Sequence, residues 1–283
     1  MHTNSPQIDN AELQDQLSKA RSVLRGSRRT VVFTGAGVSV ASGIPTFRDD
    51  EGLWSRFPPS DFANWQSIIR LAQGNPTLLA EFAVAVFKPI INAQPNSAHT
   101  AIAALDRSTE RVVVVTQNID GLHQMAGSAN VVEIHGSAFE IVRQTLLDAK
   151  TVTRLSRVEL GLTLAKLELL QNNPRASLAE FLEAAAPIFS MSLRGTCRPN
   201  LVLFGDQMPM EAWQTAVGAA TQCDCMLVVG TSELVVPAAT LPVSARGAGA
   251  KVIRVDPIYG ECDIWLPGDA GEILPRLLYA SAN

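Results

Sequence analysis

The chain has 283 residues, 47% of them hydrophobic and 18% charged, enough to bury one large domain or a domain carrying an insert, and this composition excludes disorder as the dominant state. Twenty-three Lys and Arg against twenty-seven Asp and Glu leave a formal charge of −4, so nothing drives the chain toward phosphate backbones or anionic membranes and no direct nucleic-acid ligand is expected. The longest apolar runs, such as 112–115 and 226–229, are strand-sized and far short of the roughly 20 residues of a membrane span, so no membrane partner is expected either.

Residues 1–10 are polar and lack the apolar core of a secretory signal, and Cys197, Cys223, Cys225 and Cys262 are too few for a disulfide framework in a chain this long. A cytoplasmic location with reduced thiols is the expectation. Short Val-, Ile- and Leu-rich runs then recur at 30–34, 111–116, 131–134, 201–204, 226–230 and 251–255, most of them followed by a polar or Gly-rich turn and helical periodicity. Continuous apolar runs without alternation mark strands covered on both faces, so the fold class is α/β with a doubly wound, Rossmann-like parallel sheet.

Two segments interrupt the alternation. Residues 45–96 begin as a Gly/Pro-bearing loop and continue into helical stretches around 65–73 and 77–91. Residues 138–197 are Leu-rich, with Leu155, Val158, Leu160, Leu162, Leu164, Leu167, Leu169 and Leu170; β-branched residues are few, so helix is favoured over strand. Asn172, Asn173 and Pro174 break that helix, and Ser177 with Glu180 three residues on opens another. The expectation is a single domain, 1–283, whose core comprises 30–44, 97–137 and 198–283, with a smaller insert of two or three helices at 138–197.

After the first strand, Gly35, Ala36, Gly37, Val38 and Ser39 form a small-residue turn into a helix, a geometry that lets backbone N–H groups approach a pyrophosphate or that merely turns the chain. His135 follows a strand and precedes a glycine, where an imidazole faces a cleft with a titration midpoint near neutrality. Asn118 and Asp120 follow the strand ending at Thr116, on the side where open α/β sheets bind ligands; an Asx turn capping the next helix is the alternative reading of both. His123 reads as a hydrogen-bonded helix histidine.

With the stretches GAGVSVASGIPTFRDDEGLW (35–54), PNSAHTAIAAL (95–105), TQNIDGLHQMAG (116–127), EIHGS (133–137), RPNLVLFGDQMP (198–209) and VVGTSELVVPAA (228–239) in this order, the chain resembles the sirtuin family of NAD-dependent protein-lysine deacylases. The resemblance implies NAD as cofactor and an acylated lysine as partner. It implies His135 as general base for a ribose hydroxyl, Asp120 on the nicotinamide carboxamide, and Asn118 and Gln117 on the ribose and a water. It places Gly35, Ala36, Gly37, Ser39, Ile119, Gly230, Thr231, Ser232 and Ala270 around the cofactor, with Phe47 and Arg48 on a loop over it. Phe204, Gly205 and Asp206, with Leu234 and Val235, would hold the substrate backbone as an added strand.

Four departures from the family pattern stand out. Sirtuins usually carry two CxxC pairs after the His-Gly, yet no cysteine lies between Gly136 and Thr196, the expected first pair falls near Arg143 and Leu146, and Cys223-Asp224-Cys225 is one residue short of a zinc knuckle. No metal is expected, and apolar packing of the Leu-rich segment replaces the zinc module. Thr46 matches the branch that removes acidic acyl groups, but that branch's Tyr and Arg correspond here to Ala83 and Val86, so a neutral acyl chain is expected. Arg254, in VIRVDP, takes the place of an Asn that contacts the adenosine ribose, as a longer cation that reaches the same end or alters cofactor use.

These features imply deacylation to free amine, nicotinamide and O-acyl-ADP-ribose. ADP-ribosyl transfer, NAD hydrolysis and a non-enzymatic NAD-binding module are the alternatives. The Leu-rich segment also offers a surface for self-association or partner contact.

Overall fold

The computed structural model describes residues 8–47, 52–108, 112–145, 149–192 and 195–279. After α1 (Asn10–Gly26) comes β1 (Thr30–Thr34), then a 3-10 turn over Ala36–Ser42. Four helices follow, α2 (Leu53–Arg56), α3 (Pro59–Phe62), α4 (Trp65–Gly74) and α5 (Pro76–Asn92), then α6 (Ser97–Ser108), β2 (Val112–Thr116), α7 (Leu122–Ala126) and β3 (Val131–Glu133). The expected helices at 65–73 and 77–91 are α4 and α5, each opened by an Asn, Asn64 and Asn75, whose side chain accepts a first-turn N–H. No single described helix is long and apolar enough to cross a membrane.

The smaller module runs through β4 (Gly136–Gln144), β5 (Ala149–Arg154), α8 (Arg157–Gln171), α9 (Leu178–Ala185), β6 (Ser190–Ser192) and β7 (Gly195–Leu201). The chain closes with α10 (Met210–Gln222), β8 (Cys225–Val229), α11 (Thr240–Gly247), β9 (Lys251–Val255), β10 (Ile264–Leu266) and α12 (Ala270–Leu278).

Six strands form a parallel sheet in the order β10-β9-β8-β1-β2-β3. Side chains alternate across it: Val32, Val114, Leu227 and Ile253 pack with Leu17, Ile102 and Leu274 of α1, α6 and α12. Val31, Phe33, Met226, Val228 and Val252 pack on the opposite face with Ala216 and Ala220 of α10 and Leu241 and Ala245 of α11. Two buried faces explain why these strands read as unbroken apolar runs. The sheet is the doubly wound one expected, extended by β10, whose three residues are too short a run to stand out in the sequence.

The run at 201–204 is not a strand of this sheet. β7 ends at Leu201 and belongs to the module, and Phe204 and Gly205 lie in a turn in which Asp206 N–H donates to Leu203 O. The module contains the expected helices, with a capping box at each N-terminus: Ser156 with Glu159, and Ser177 with Glu180. It also contains an antiparallel sheet, β5-β4-β7-β6, that the sequence reading did not foresee. β5, AKTVTR, is exposed at every position and so carries no apolar face to read, and β4 shifts register between Ile141 and Val142. A second core binds α4, α5, α8 and α9 to β4, with Leu160, Leu164, Leu167, Phe87, Ile90, Phe181 and Ile141 buried together. Leu160→Ala should cost about 2–5 kcal/mol in chemical denaturation, since a fully buried leucine leaves a cavity that helices anchored on three sides cannot close.

Candidate active site

The chain leaves β1 toward β2 on one side and reaches β8 on the other, so the sheet has its topological switch point between β1 and β8, where open α/β sheets form their ligand crevice. The loops leaving these two strands touch. Gly37 N–H donates to Gly230 O at 2.9 Å and Gly35 N–H to Val229 O at 3.1 Å. A Cβ on Gly37 would sit 2.7 Å from Gly230 Cα, and one on Gly230, at φ +55°, 2.6 Å from Val38 N. The glycines therefore serve the approach of one loop to the other. Their N–H groups are not left free for a pyrophosphate as the sequence reading supposed, and the expected helix is a 3-10 turn.

Across that turn lies a polar cluster. Ser39 Oγ donates to Asp120 Oδ2 at 2.8 Å and accepts from Asn118 Nδ2 at 3.1 Å, while Asp120 Oδ1 accepts Leu122 N–H at 2.9 Å. Asp120 thus closes an Asx turn onto the first residue of α7 and orients Ser39 as well, joining the two readings the sequence left open. Arg157, at the start of α8, donates through Nη2 to Asp120 O at 2.9 Å and covers the Phe139 ring, which ties the module to the sheet at this point. Ile119 supplies its carbonyl to Ala138 N–H and its side chain to the module core.

Gln117 bridges the two strand ends: its N–H donates to Thr34 O at 3.0 Å and its Nε2 to Thr231 Oγ1 at 2.8 Å. Its carbonyl meets His135 Nδ1 at 3.1 Å. A carbonyl only accepts, so Nδ1 carries the proton and Nε2 of the neutral ring is a free base. Burial holds the His135 pKa below its usual 6.5, against the raising effect of the Gln117 carbonyl.

The remaining expected residues fall in distinct places. Phe47 is exposed and packs on Trp54 with ring centroids 5.4 Å apart, on a loop closed by Leu53 N–H to Thr46 O and Trp54 N–H to Phe47 O. Arg48 and Leu146 lie outside the described residues. Ala36 opens the 3-10 turn, Ser232 is exposed beside buried Thr231, and Ala270 begins α12, whose Gly271 O accepts Ser97 Oγ at 2.6 Å. Phe204 and Leu234 are exposed and Val235 half-buried, whereas Asp206 accepts Trp65 Nε1 at 2.9 Å and Leu203 N–H at 3.1 Å and so holds the turn together.

Arg254 does not present a free cation to a ligand. Its guanidinium is buried, pairs with Glu233, donates to Thr231 O at 2.8 Å and Ile258 O at 3.1 Å, and lies 3.5 Å from Asp256 Oδ2. The side chain knits the loop after β8 to the loop after β9, and a Cβ on Gly260 would meet it at 2.7 Å.

Comparison with known proteins identifies the arrangement. The Sir2 family model matches residues 35–237. The chain belongs to the Sir2 family. It is similar to NAD-dependent protein deacylase 2 of Archaeoglobus fulgidus, 37% identical with 94% of this chain and 96% of the relative covered. It is also similar to NAD-dependent protein deacylase 2 of Pyrobaculum aerophilum, at 39% identity with 90% and 92% covered. A solved Sir2 structure in complex with a p53 peptide and NAD+ superposes with a TM-score of 0.68 at 28% identity, covering 93% of this chain and 97% of that one.

One member of the Sir2 crevice escaped the sequence reading. His99 is fully buried on α6, its Nδ1 3.1 Å from Asn96 Oδ1 and its Nε2 3.5 Å from Ser39 Oγ, and its ring lies 4.9 Å from that of His123. Asn96 in turn donates to Val38 O at 2.9 Å and Ser42 Oγ at 3.0 Å, anchoring the 3-10 turn. The pairing of His99 with Asn96 three residues earlier, at the start of a helix, was the available signal. His123 is the hydrogen-bonded ring expected, with Nε2 3.0 Å from Thr34 Oγ1.

Burial lowers His99 to about 4 and His123 to about 3, so both rings are neutral in the fold and protonate near 6.5 when the chain unfolds. Stability from this pair is therefore complete above pH 6.5 and is lost as pH falls toward about 4. Glu133, whose Oε1 is buried without a partner, acts oppositely: burial raises it to about 7 from 4.5, so its destabilising effect grows as pH rises across that interval. Thermal melting across pH 4 to 8 should therefore show a maximum, with Glu133→Gln flattening the alkaline side and His123→Gln the acid side.

Proposed function

We propose that this protein is an NAD-dependent protein-lysine deacylase that removes a neutral acyl group, acetyl or longer, in the cytoplasm and without structural zinc. The products are free amine, nicotinamide and O-acyl-ADP-ribose. The observation that carries the reading is His135, held with Nδ1–H on the Gln117 carbonyl and Nε2 free, beside the Ser39, Asn118 and Asp120 cluster. A module that only bound NAD would not need an oriented base.

The donor set at the ends of β1, β2 and β8 fits NAD. When bound, NAD supplies an electrophilic ribose carbon, nicotinamide as leaving group and a ribose hydroxyl with a proton to lose. Asp120 and Asn118, fixed through Ser39, orient polar groups of the ligand, and Gln117 sets the distance between the β2 and β8 loops. His135 Nε2 takes up the proton, and the Gln117 carbonyl stabilises the resulting imidazolium at Nδ1. The Phe47 ring, exposed and packed on Trp54, would shield the reacting carbon from water.

Zinc does not fit the cysteines that are present. Cys197 packs against the module core on β7, while Cys223 and Cys262 pack on one face of the large sheet and Cys225 on the opposite face. Burial pushes Cys225 up to about 12 and Cys223 and Cys262 to about 11, whereas a zinc ligand must be a thiolate. Among the described residues no group of three or more His, Cys, Asp or Glu side chains converges on a metal position. The neutral acyl group is supported by Ala83 and Val86, half-buried against the module core, which offer no charge to an acyl carboxylate.

Nicotinamide release by the purified protein should require an acyl-lysine peptide, favour acetyl over succinyl, and fall by about 10²–10⁴-fold in His135→Ala. The acid limb of its pH–rate profile should lie below 6.5. Peptide-independent release would move the reaction to NAD hydrolysis or ADP-ribosyl transfer, and NAD binding without release would make the protein a binding module. A separate check is metal content: elemental analysis should find substoichiometric zinc, and chelator should leave the melting temperature unchanged; one bound zinc per chain would overturn the zinc-free reading.

A further inference from the structure

Helix α8 is apolar on two opposite sides. Its inner side, Leu160, Thr163, Leu164 and Leu167, is buried against α5 and α9. Its outer side carries Val158, Leu162, Ala165 and Leu169, all exposed, with the three large side chains at 71%, 64% and 77%. At 100° per residue these four fall within a stripe about 60° wide, and their spacing of four, three and four is that of a two-heptad coiled-coil seam. An exposed apolar stripe on a helix whose opposite side is already buried is one that calls for cover.

We infer that a second copy of this chain covers it, by antiparallel packing of α8 on α8. Three features of the helix favour that occupant. The seam reads the same in reverse, so a two-fold axis between residues 163 and 164 places Val158 against Leu169 and Leu162 against Ala165 of the other copy. Second, one flank of the seam carries Glu159 and Lys166, and in an antiparallel pair residues on the same flank of the two helices face each other. Glu159 then meets Lys166 of the second copy, and Lys166 its Glu159, giving two symmetric opposite-charge contacts; a parallel pair would instead set Lys166 against Gly161. On the other flank Glu168 is paired within the chain, with Lys88 of α5.

Third, Gly161 borders the seam in mid-helix, where glycine costs about 1 kcal/mol relative to alanine. A Cβ there would meet only Ile91 Cδ1 at 3.6 Å, an ordinary contact, so packing within the chain does not call for it. A second helix does, because a bare backbone lets it come closer. The contact is isologous and closes at a dimer. A single two-helix contact buries less than about 1,200 Å², the range of weak, reversible association.

Sedimentation velocity of the full chain from about 1 to 100 µM should show a monomer–dimer equilibrium within that range. Leu162→Glu should leave the melting temperature within a degree or two, because the side chain is exposed, and abolish the dimer. Lys166→Glu should weaken the dimer at least tenfold at low salt, since it sets two carboxylates against Glu159. A chain that stays monomeric throughout, a species larger than a dimer, or a dimer that survives Leu162→Glu would overturn the inference, and a dimer indifferent to Lys166→Glu would overturn the antiparallel pairing.

Discussion

The Gly37–Gly230 contact is the constraint on which the crevice depends. It joins the loop leaving β1 to the loop leaving β8 with backbone on backbone, and each glycine excludes a side chain from the other's space. Because the loops meet here, Thr231 comes within reach of Gln117, and Gln117 can then present its carbonyl to His135. Arg254 holds the same junction from beneath, through Thr231 O and Glu233. The buried charge is tolerable because carboxylates and carbonyls surround it.

The module is bound to this junction by backbone acceptors. Arg157 reaches from the first turn of α8 to the carbonyls of Asp120, Ile90 and Ala93, so the helix that carries the outer apolar seam also braces the loop bearing Asp120. The fold of the module then rests on the core it shares with α4 and α5, and on two capping boxes.

Much of the large sheet was legible because both of its faces are buried, so runs such as 226–229 need no alternation to be recognised. The glycine turn was legible as a turn, but the partner of its N–H groups was not, since Gly230 lies on another strand. β4, β5 and β7 escaped because their apolar side is broken by bulges or absent: β5 is exposed throughout, and β7 contains Pro199. Among the residues proposed for the site, His135, Asn118 and Asp120 were readable from position at strand ends. His99 was missed because its role comes from burial beside Ser39, and Arg254 was misjudged because Glu233, which consumes its charge, is distant in sequence.

The place of β1 in the sheet governs how the chain can fold. Its neighbour β8 arrives late: Asp224, just before β8, accepts the N–H of Arg29 across 195 residues. Closing so long a loop costs entropy before any contact repays it. The module, whose strands and helices adjoin in sequence, can condense first while β1 waits with one edge unpaired. The crevice forms only when β8 arrives to pair with that edge.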